Sequence, residues 1–485
     1  MANTSNNRTQ DGFVHYGNNQ FEAGLNTEAT VKSSTIDFQR VFDVIIVGAG
    51  FTGLIAAREL SRQNRNVLLV EARDRLGGRT FTTKINNEKY EIGGTWIHWS
   101  QPHVWTETTR YGLSISETKG VEADQLSVLT ENGTKLKSLS MNKLLPDICD
   151  AMNKYSDVDG ALGRTVLPLP HDPLASGDIV RQYDQLSMQD RLDQIKDYFV
   201  DKEDLYEFMY AYISMNSQGQ LNEGGFIDHL RWWALGDFET LRLFDKSSRF
   251  KIVQGSTGLA KAIWNDCQNV KLLLSTPIKS VRRTNDNQIR ILTENGQELL
   301  GRSTIITIPL NTLRQTEFIP ALKVEKQRAI NEGQCRGGNK FAVKLKEPIG
   351  NWTCYAPYPS PITMAFTDDE EGTIIIAFGV DDLLDIKDFD AVEREFKRFL
   401  PDIKIDYVVA HDWRNDSFAG GTWGWYRPGQ MTSSLLVLQE HEPPIFFASS
   451  DSANGWRGFI DGAIESGLTN SRHVEQYLRT QSFSN

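Results

Sequence analysis

The stretch FDVIIVGAGFTGLIAAREL (42–60) decides the fold of this chain. An apolar, β-branched run precedes a glycine turn, and Leu54, Ala57 and Leu60 then recur at helical spacing. NVLLVEARD (66–74) supplies a second short apolar strand that ends at an acid. The pattern predicts a strand, a turn, a helix and a parallel strand, which together form one βαβ unit.

The turn carries the spacing Gly48-x-Gly50-x-x-Gly53. In such a motif the first glycine permits the tight turn, the second admits a pyrophosphate and the third allows close helix packing. Glu71 lies 18 residues beyond Gly53, near the spacing of an acid that binds ribose hydroxyls. The sequence therefore predicts a dinucleotide site, and the acid favours FAD or NAD over NADP.

EARDRLGGRT (71–80) follows at once and favours FAD over NAD. Arg73 and Arg79 can pair with phosphates or cofactor carbonyls, and Gly77 and Gly78 let backbone approach a ligand. EIGGTWIHW (91–99) repeats the double glycine beside aromatic residues.

The chain as a whole is typical of a globular protein of two domains, with 485 residues and a net charge of -11. The charge disfavours a nucleic-acid partner, which needs a basic surface. No apolar run approaches the roughly 20 residues that cross a bilayer. With no signal peptide or peroxisomal ending recognised, we expect a cytoplasmic protein with reduced cysteines.

Metal and hydrolytic chemistry have no sequence support. The 4 cysteines and 8 histidines show no metal-ligand spacing. No HExxH or GxSxG motif occurs.

We predict a mixed α/β fold in which a Rossmann-like FAD-binding domain is interleaved with a substrate domain on a mixed sheet. Residues 1–40 are polar and predict an irregular arm. The predicted domain limits are 41–120, 245–320 and 405–475 for FAD binding, and 121–244 and 321–404 for the substrate.

Seven motifs together resemble those of the flavin-containing amine oxidases, and within that family the fungal monoamine oxidases. They are VGAGFTGLIAARELS, EARDRLGGRT, GGTWIHW, LRWWA, IPLNTL, RPG and GWRGFIDGAIESG. The resemblance extends from about residue 41 to 475 and implies tightly bound FAD.

The resemblance assigns cofactor contacts residue by residue. It implies that Glu71 holds the adenosine ribose, that Arg73, Gly77, Gly78 and Arg79 line the phosphates and ring, and that Gly94 and Thr95 lie by the flavin ring. The backbone of Ile278 would meet the adenine and Trp413 would lie against the ring. Asp451 stands where the family more often has Glu, and would still reach the ribityl or phosphate region.

Lys340 in NKFAVKLKEP (339–348) corresponds to the family lysine that holds a water near flavin N5. Alternation alone places Lys340, Lys344 and Lys346 on one strand face and gives Lys340 no special status. The resemblance therefore carries this assignment.

Trp423 and Phe459 match the pair of aromatic residues that sandwich the amine in the family. Trp232 and Trp233 could also line the substrate, but neighbours on a helix point about 100° apart. We therefore expect at least one of them in the core.

The resemblance implies oxidation of a small aliphatic or aryl-alkyl amine to an imine by hydride transfer to FAD, with O₂ reduced to H₂O₂. HWSQPHVWTETTRYGL (98–113) is similar to a nicotine-oxidising branch, so an amine dehydrogenase or a cyclic-amine oxidoreductase is an alternative. A flavin-binding protein without enzymatic activity is a remote alternative. The family includes homodimers.

AGGTWGWYRPGQ (419–430) crowds aromatic residues behind two glycines. We predict that Gly420 and Gly421 bring the chain close to the flavin and that Trp425 and Tyr426 pack behind Trp423. Thr422 stands where animal monoamine oxidases carry a flavin-linked cysteine. A hydroxyl cannot form that thioether, so we predict non-covalent FAD.

Overall fold

The computed structural model describes residues 7–482 except 19, 119–122, 124 and 132. Its strands are β1 Arg8–Tyr16, β2 Phe21–Asn26, β3 Val41–Val47, β4 Val67–Val70, β5 Thr82–Ile85, β6 Glu88–Glu91, β7 Trp96–Ile97, β8 Ile115–Glu117, β9 Gln125–Thr130, β10 Lys135–Ser140, β11 Phe250–Ile252, β12 Lys271–Leu273, β13 Ile278–Arg283, β14 Ile289–Thr293, β15 Glu298–Ile306, β16 Glu317–Ile319, β17 Gly338–Leu345, β18 Trp352–Tyr355, β19 Ile362–Thr367, β20 Ile374–Val380, β21 Ile405–Ala410 and β22 Ile445–Phe447.

The helices separate these strands into groups along the chain. They are α1 Phe51–Arg62, α2 Pro102–Arg110, α3 Met141–Ser156, α4 Asp178–Asp184, α5 Met188–Gln194, α6 Glu203–Ser217, α7 Phe226–Leu235, α8 Thr240–Ser248, α9 Gly255–Asn265, α10 Leu310–Leu313, α11 Val324–Glu332, α12 Phe389–Phe396, α13 Gln430–Gln439 and α14 Ile460–Ser482.

The first large sheet is built around the opening motif. Its strand order is β12-β4-β3-β15-β14-β13-β16, and β22 pairs with β15. β3 runs parallel to both β4 and β15, and α1 connects β3 to β4 as predicted. Because α1, α9 and α14 pack together beside these strands, the apolar residues of β3 and β4 are buried.

The second large sheet has the order β10-β9-β18-β19-β20-β17-β21-β1-β2. β9 and β10 form an antiparallel hairpin, in which Thr130 pairs with Lys135. α6 packs on β9, β18, β19 and β20. Its buried face holds Phe208, Tyr212 and Met209 against the sheet. The whole is the mixed α/β fold that the sequence predicts.

The N-terminal segment differs from the prediction of an irregular arm. Residues 8–16 and 21–26 form a hairpin, and β1 also pairs with β21 at the end of the second sheet. Phe13 and Val14 are buried there although their polar neighbours mask any periodicity in the sequence. The hydrogen bonds and burial come from β21, nearly 400 residues away along the chain, so local composition could not reveal them.

One strand lies at a predicted domain limit. Residues 405–410 form β21, which pairs with β17 in the second sheet, and the domain limits stay predictions. The composition of β21 is apolar enough for either large sheet, so the strand it pairs with determines which sheet contains it. Among the described residues, no helix combines the length and the hydropathy needed to cross a membrane.

Candidate active site

A cavity of about 1310 Å³ is lined by residues from both large sheets. Small-molecule pockets commonly measure roughly 300–1,000 Å³, so this one has room for more than a single small ligand. One part of its wall is rich in glycine and the other in aromatic rings. We call Gly48, Gly50, Gly77 and Gly78 the glycine cradle.

The first glycine motif is shaped by steric limits. Gly48 has φ of 108°, and a Cβ there would lie 2.3 Å from Thr307 Oγ1. A Cβ on Gly53 would lie 1.9 Å from the Gly48 carbonyl oxygen, so this glycine is required for helix packing, as predicted. Gly53 does not line the cavity, whereas Gly50 does. Gly50 caps α1, whose first turn carries no acidic residue and no side-chain cap, which suits an anion.

Glu71 lies at the end of β4, directly beside the glycine motif. Its carboxylate accepts hydrogen bonds from the backbone N–H groups of Ala49 (2.6 Å) and Arg73 (2.9 Å). Burial raises the pKa of Glu71, and these two donors oppose that shift. The structure places Glu71 in the cavity wall.

The loop from Arg73 to Thr80 forms the opposite side of the cradle. Gly77 and Gly78 both have positive φ, and a Cβ on Gly78 would lie 3.1 Å from the Gly50 Cα. Arg73 lines the cavity but pairs with Asp11 (2.9 Å) and Asp416 (2.5 Å). It is therefore already neutralised by protein carboxylates.

Arg79 and Asp451 form a buried ion pair at 2.7 Å. Burial acts to raise the pKa of Asp451, but Arg79 and the Leu310 N–H hold it below its ordinary value. Arg79 lines the cavity and Asp451 does not. Asp451 therefore pairs with a cavity residue without lining the cavity itself, and its role as a cofactor contact stays a prediction.

The remaining predicted cofactor residues all line the cavity: Gly94, Thr95, Ile278 and Trp413. Trp413 is fully buried, and its indole N–H donates to the Ile92 carbonyl at 2.7 Å. Its ring also lies under the guanidinium groups of Arg73 and Arg75. One face of this tryptophan is thus occupied by cations.

Lys340 lies on β17 and lines the cavity beside Trp96. It is 4% exposed, and its ammonium donates to the Gly93 carbonyl at 2.9 Å and to Thr95 Oγ1 at 2.5 Å. It lies 4.6 Å from the centre of the Trp96 ring. Burial lowers the pKa of Lys340 to about 8, although Glu91 and Asp368 oppose the shift. A lysine of this kind can exchange a proton near neutral pH.

The aromatic part of the wall is assembled from separate chain segments. We call Trp96, Trp232, Phe378, Trp423 and Phe459 the aromatic cage. Trp423 packs edge-on against Phe378 with ring centres 6.1 Å apart, and Phe459 packs on Trp232 at 5.2 Å. The indole N–H of Trp423 donates to the Asn216 carbonyl at 3.0 Å, which fixes the ring plane. The structure thus brings Trp423 and Phe459 to one cavity.

The two tryptophans of α7 separate as helix geometry requires. Trp232 lines the cavity, whereas Trp233 is completely buried and donates to the Leu162 carbonyl at 3.0 Å. Trp232 is therefore the one of the two that faces the cavity.

The segment after Gly420 and Gly421 is organised differently from the prediction. Both glycines have positive φ, but neither lines the cavity; they pack against Asn311 and Arg336 instead. Thr422 and Trp423 are the residues that reach the cavity. Trp425 and Tyr426 are buried, as predicted.

Sequence reasoning missed Trp96, Phe378 and Tyr212 in the cavity wall. Trp96 follows a quoted double glycine, which was a usable signal. Phe378 and Tyr212 belong to an ordinary strand and helix, and no local pattern distinguishes them from core residues.

Two groups of side chains could bring metal-ligand atoms together among the described residues: Asp11 with His411 and Asp416, and His103 with Asp461 and Glu465. The first is filled by the guanidinium groups of Arg73 and Arg75. In the second, Asp461 accepts the N–H groups of His103 and Val104. These ion pairs and hydrogen bonds within the protein explain why the side chains of each group lie close together.

The cavity fits a flavin dinucleotide. A Cβ on Gly48 or Gly78 would crowd Thr307 or Gly50, the uncapped N-terminus of α1 suits a pyrophosphate, and Glu71 lines the cavity beside it. The aromatic cage lines the same cavity as the glycine cradle.

The chain belongs to the family described as flavin containing amine oxidoreductase, whose model matches residues 51–474. FAD is the cofactor of this family, and the protein is an oxidoreductase that acts on amines.

The relatives include a pseudooxynicotine dehydrogenase of a Pseudomonas species, 36% identical over 90% of this chain and 87% of that protein. A nicotine dehydrogenase of Pseudomonas putida is 33% identical over 94% and 93%. The flavin-containing amine oxidase B of Bos taurus is 24% identical over 89% and 86%.

Solved structures show the same fold. Cyclohexylamine oxidase from Brevibacterium oxydans aligns with a TM-score of 0.74 at 16% identity, covering 91% of this chain and all (100%) of that one. Putrescine oxidase bound to putrescine aligns with a TM-score of 0.71 at 19% identity, covering 90% and 99%.

Proposed function

We propose that this protein oxidises the C–N bond of an apolar aryl-alkyl or cyclic amine to an imine. The observation that carries the proposal is that the glycine cradle, Lys340 and the aromatic cage share one cavity wall. FAD, when bound, supplies the two-electron acceptor for the hydride that leaves the α-carbon. Water then hydrolyses the imine to a carbonyl compound and an amine or ammonia.

The residues of the chain bind and orient the amine. The rings of Trp423 and Phe459 offer apolar faces that favour the neutral amine over its ammonium form. Lys340 adds a positive charge to the same wall when protonated, which disfavours an ammonium further. Together these side chains select the form of the substrate that can give up a hydride.

An amino-acid substrate is disfavoured by the arginines of the cavity. Among the described residues, the arginines lining it are Arg73, Arg79 and Arg249. Each already pairs with a carboxylate of the protein. A substrate carboxylate at Arg73 or Arg79 would compete with a largely buried carboxylate, whose loss of its partner is costly, and the exposed pair of Arg249 with Glu117 is the weakest of the three.

Within the amines, the comparisons favour a nicotine-like alkaloid over a simple monoamine. The two proteins named for nicotine compounds share 36% and 33% identity with this chain, against 24% for amine oxidase B. The alternative of a cyclic-amine oxidoreductase thus gains support over the primary amine.

An anaerobic panel of amines tests both statements. Nicotine, pseudooxynicotine, benzylamine, a linear alkylamine and an amino acid are each added to the oxidised protein, and the flavin absorbance is followed. We expect the pyridyl amines to bleach it fastest and the amino acid to leave it unchanged. Bleaching by none of the amines would refute the proposed activity. Fastest bleaching by benzylamine would show that the preferred substrate is a simple monoamine and not a nicotine-like alkaloid.

We also propose that an acceptor other than O₂ takes the electrons most rapidly, in place of the O₂ expected from the sequence. The names of the two dehydrogenase relatives support this. The bleached protein is mixed with air-saturated buffer or with a one-electron dye, and recolouring is timed. Faster recolouring in air, with formation of H₂O₂, would restore the oxidase interpretation.

Non-covalent FAD is a further part of the proposal. Thr422 lines the cavity, and its hydroxyl donates to the Gln218 side chain at 2.9 Å. Neither group forms a thioether. Acid precipitation should leave the yellow colour in the supernatant, and colour in the pellet would contradict this.

The homodimer and the cytoplasmic location stay predictions, which gel filtration and cell fractionation would test.

A further inference from the structure

The N-terminal hairpin β1–β2 contacts the loop that carries Gly77 and Gly78. The Gln10 N–H donates to Asp74 Oδ2 at 2.9 Å, and the Thr9 hydroxyl donates to the other oxygen of the same carboxylate. The Leu76 N–H donates to the Ala29 carbonyl at 3.0 Å. A segment that is distant in sequence thus holds the cofactor loop along its length.

Asp11 makes the strongest of these contacts. Both of its oxygens accept from Arg73 Nη1 at 2.9 Å, and one accepts from Arg75 Nε at 2.7 Å. Burial acts to raise the pKa of Asp11, but Arg75 and Arg73 hold it below its ordinary value. The carboxylate is therefore ionised and bridges two buried guanidinium groups.

The two arginines need this carboxylate for different reasons. Arg73 also pairs with Asp416, whereas Asp11 is the carboxylate paired with Arg75 among the described residues. Both side chains are almost fully buried, at 4% and 0% exposure. Without Asp11, the positive charge of Arg75 would lie buried beside Arg73 with no ionic partner, which is strongly unfavourable.

Arg75 in turn shapes the glycine cradle. Its guanidinium donates to the carbonyls of Leu76 (3.1 Å), Gly78 (3.0 Å) and Thr80 (3.0 Å). These bonds hold the turn that places Gly78 against Gly50, where a Cβ would approach the Gly50 Cα to 3.1 Å. The position of Arg75 therefore sets the width of the cradle.

We propose that Asp11 is a positioning residue for FAD, acting through Arg75 on the loop that forms one side of the glycine cradle. The proposal rests on the FAD that the family implies and does not depend on the amine. It gives the N-terminal hairpin a role in cofactor binding, although none of the hairpin residues that the structure describes lines the cavity.

The direction in which FAD affinity changes when Asp11 is replaced distinguishes a positioning role from direct electrostatic repulsion. A carboxylate near a pyrophosphate repels it, so charge alone predicts that removing Asp11 tightens FAD binding. Positioning predicts the opposite, because a displaced Arg75 releases the carbonyls that shape the cradle.

The test compares Asp11→Asn and Asp11→Glu with the wild-type protein and with Glu22→Gln. Glu22 lies on the same hairpin and forms a surface ion pair with Arg8 at 3.7 Å, so it controls for lost charge. Diluting the FAD-loaded proteins and measuring the fluorescence of released flavin gives the Kd. We expect about a tenfold higher Kd or more for Asp11→Asn, an intermediate value for Asp11→Glu, and no change for Glu22→Gln.

Thermal melting with and without added FAD distinguishes positioning from plain stabilisation. We expect the gain in Tm from FAD to shrink in Asp11→Asn. An unchanged or lower Kd, with equal losses of Tm in both conditions, would overturn the proposal.

A second variant serves if Asp11→Asn does not fold. Thr9→Val removes only the hydroxyl bond to Asp74 and should raise the Kd for FAD severalfold. An unchanged Kd in this variant would count equally against a positioning role of the hairpin. No amine is added, so a failure of the proposed function leaves this result standing.

Discussion

The glycine cradle takes its residues from two short chain segments, whereas the aromatic cage takes one residue from each of five. The cradle consists of backbone whose shape depends on missing side chains, as at Gly48 and Gly53. The cage consists of large side chains carried by strands β7 and β20, by helix α7 and by two loop segments near the C-terminus. A site made by local backbone can be recognised in sequence, and a site made by distant side chains depends on how the sheets meet.

The comparison also separates the tasks of the two regions. The cradle is held rigid by fixed backbone and by buried ion pairs such as Arg79 with Asp451. The cage is held by ring packing and single hydrogen bonds such as that of Trp423 to Asn216. We therefore expect changes in the cradle to affect folding or FAD, and changes in the cage to affect the amine.

The largest effect is expected from Gly53→Ala. A Cβ at 1.9 Å from the Gly48 carbonyl forces the helix away from the strand, and we expect a loss of roughly 3 kcal/mol or more in the free energy of unfolding. Gly50→Ala is the matched change, since its Cβ would meet nothing closer than the Gly78 Cα at 3.8 Å. Urea unfolding without FAD should show a deficit only for Gly53→Ala. FAD titration should show weaker binding for Gly50→Ala, and full affinity in that variant would contradict the pyrophosphate assignment.

Trp423→Ala should lower kcat/KM for the preferred amine about 10- to 100-fold while FAD stays bound. The ring orients the amine, and loss of orientation commonly costs this much. Trp423→Phe keeps an apolar face and should recover most of the activity. Trp99→Ala removes an equally large ring that is 52% exposed and outside the cavity, and should change little. Steady-state kinetics, with the flavin content measured in parallel, tests this prediction. A loss of flavin from Trp423→Ala would show that Trp423 contributes to FAD binding and not only to binding of the amine.

Lys340→Met should change the pH dependence of stability. Burial lowers the pKa of Lys340 from 10.5 to about 8, so between these values the unfolded chain binds more protons than the folded one. The cost of burying the ammonium is present in full below pH 8 and is relieved as the pH rises toward 10.5. The stability of the variant relative to wild type should thus be highest at pH 7 and should fall by on the order of 1–3 kcal/mol by pH 10.

Urea unfolding at both pH values measures this difference. Lys344→Met is the matched control, because Lys344 lies on the same strand but pairs with Glu88 near the surface. A difference between Lys340→Met and wild type that stays constant with pH would show that Lys340 titrates as an ordinary lysine.

The smallest effects are expected from the neighbouring tryptophans of α7. Trp232→Phe should change KM severalfold without a loss of stability, because this ring lines the cavity. Trp233→Phe should leave KM unchanged and cost about 1–2 kcal/mol, since it removes buried volume and the bond to the Leu162 carbonyl. Paired kinetics and melting curves would show the reverse pattern if the two rings had been assigned to the wrong sides.

Part of the site was predictable because its signals are local. The motif around Gly48, the acid at Glu71 and the double glycine at Gly77 each combine residues a few positions apart, and Gly48, Glu71 and Gly77 all line the same cavity. Lys340 needed the family resemblance, because alternation gives Lys340 and Lys344 the same status. Asp451 stays a predicted cofactor contact, and sequence could not show that it pairs with Arg79, which lines the cavity while Asp451 does not.

The sequence by itself determined the βαβ unit and the glycine motif, because each depends on spacing along a short segment, while the class of chemistry came from the resemblance of seven motifs to a known family. Only the tertiary structure decided that residues 8–26 form a hairpin, that Asp11 bridges Arg73 and Arg75, and that Trp232 rather than Trp233 faces the cavity. These features depend on pairings between segments up to 400 residues apart, such as β1 with β21. Strand pairing and burial are properties of both partners, and neither partner alone carries the information.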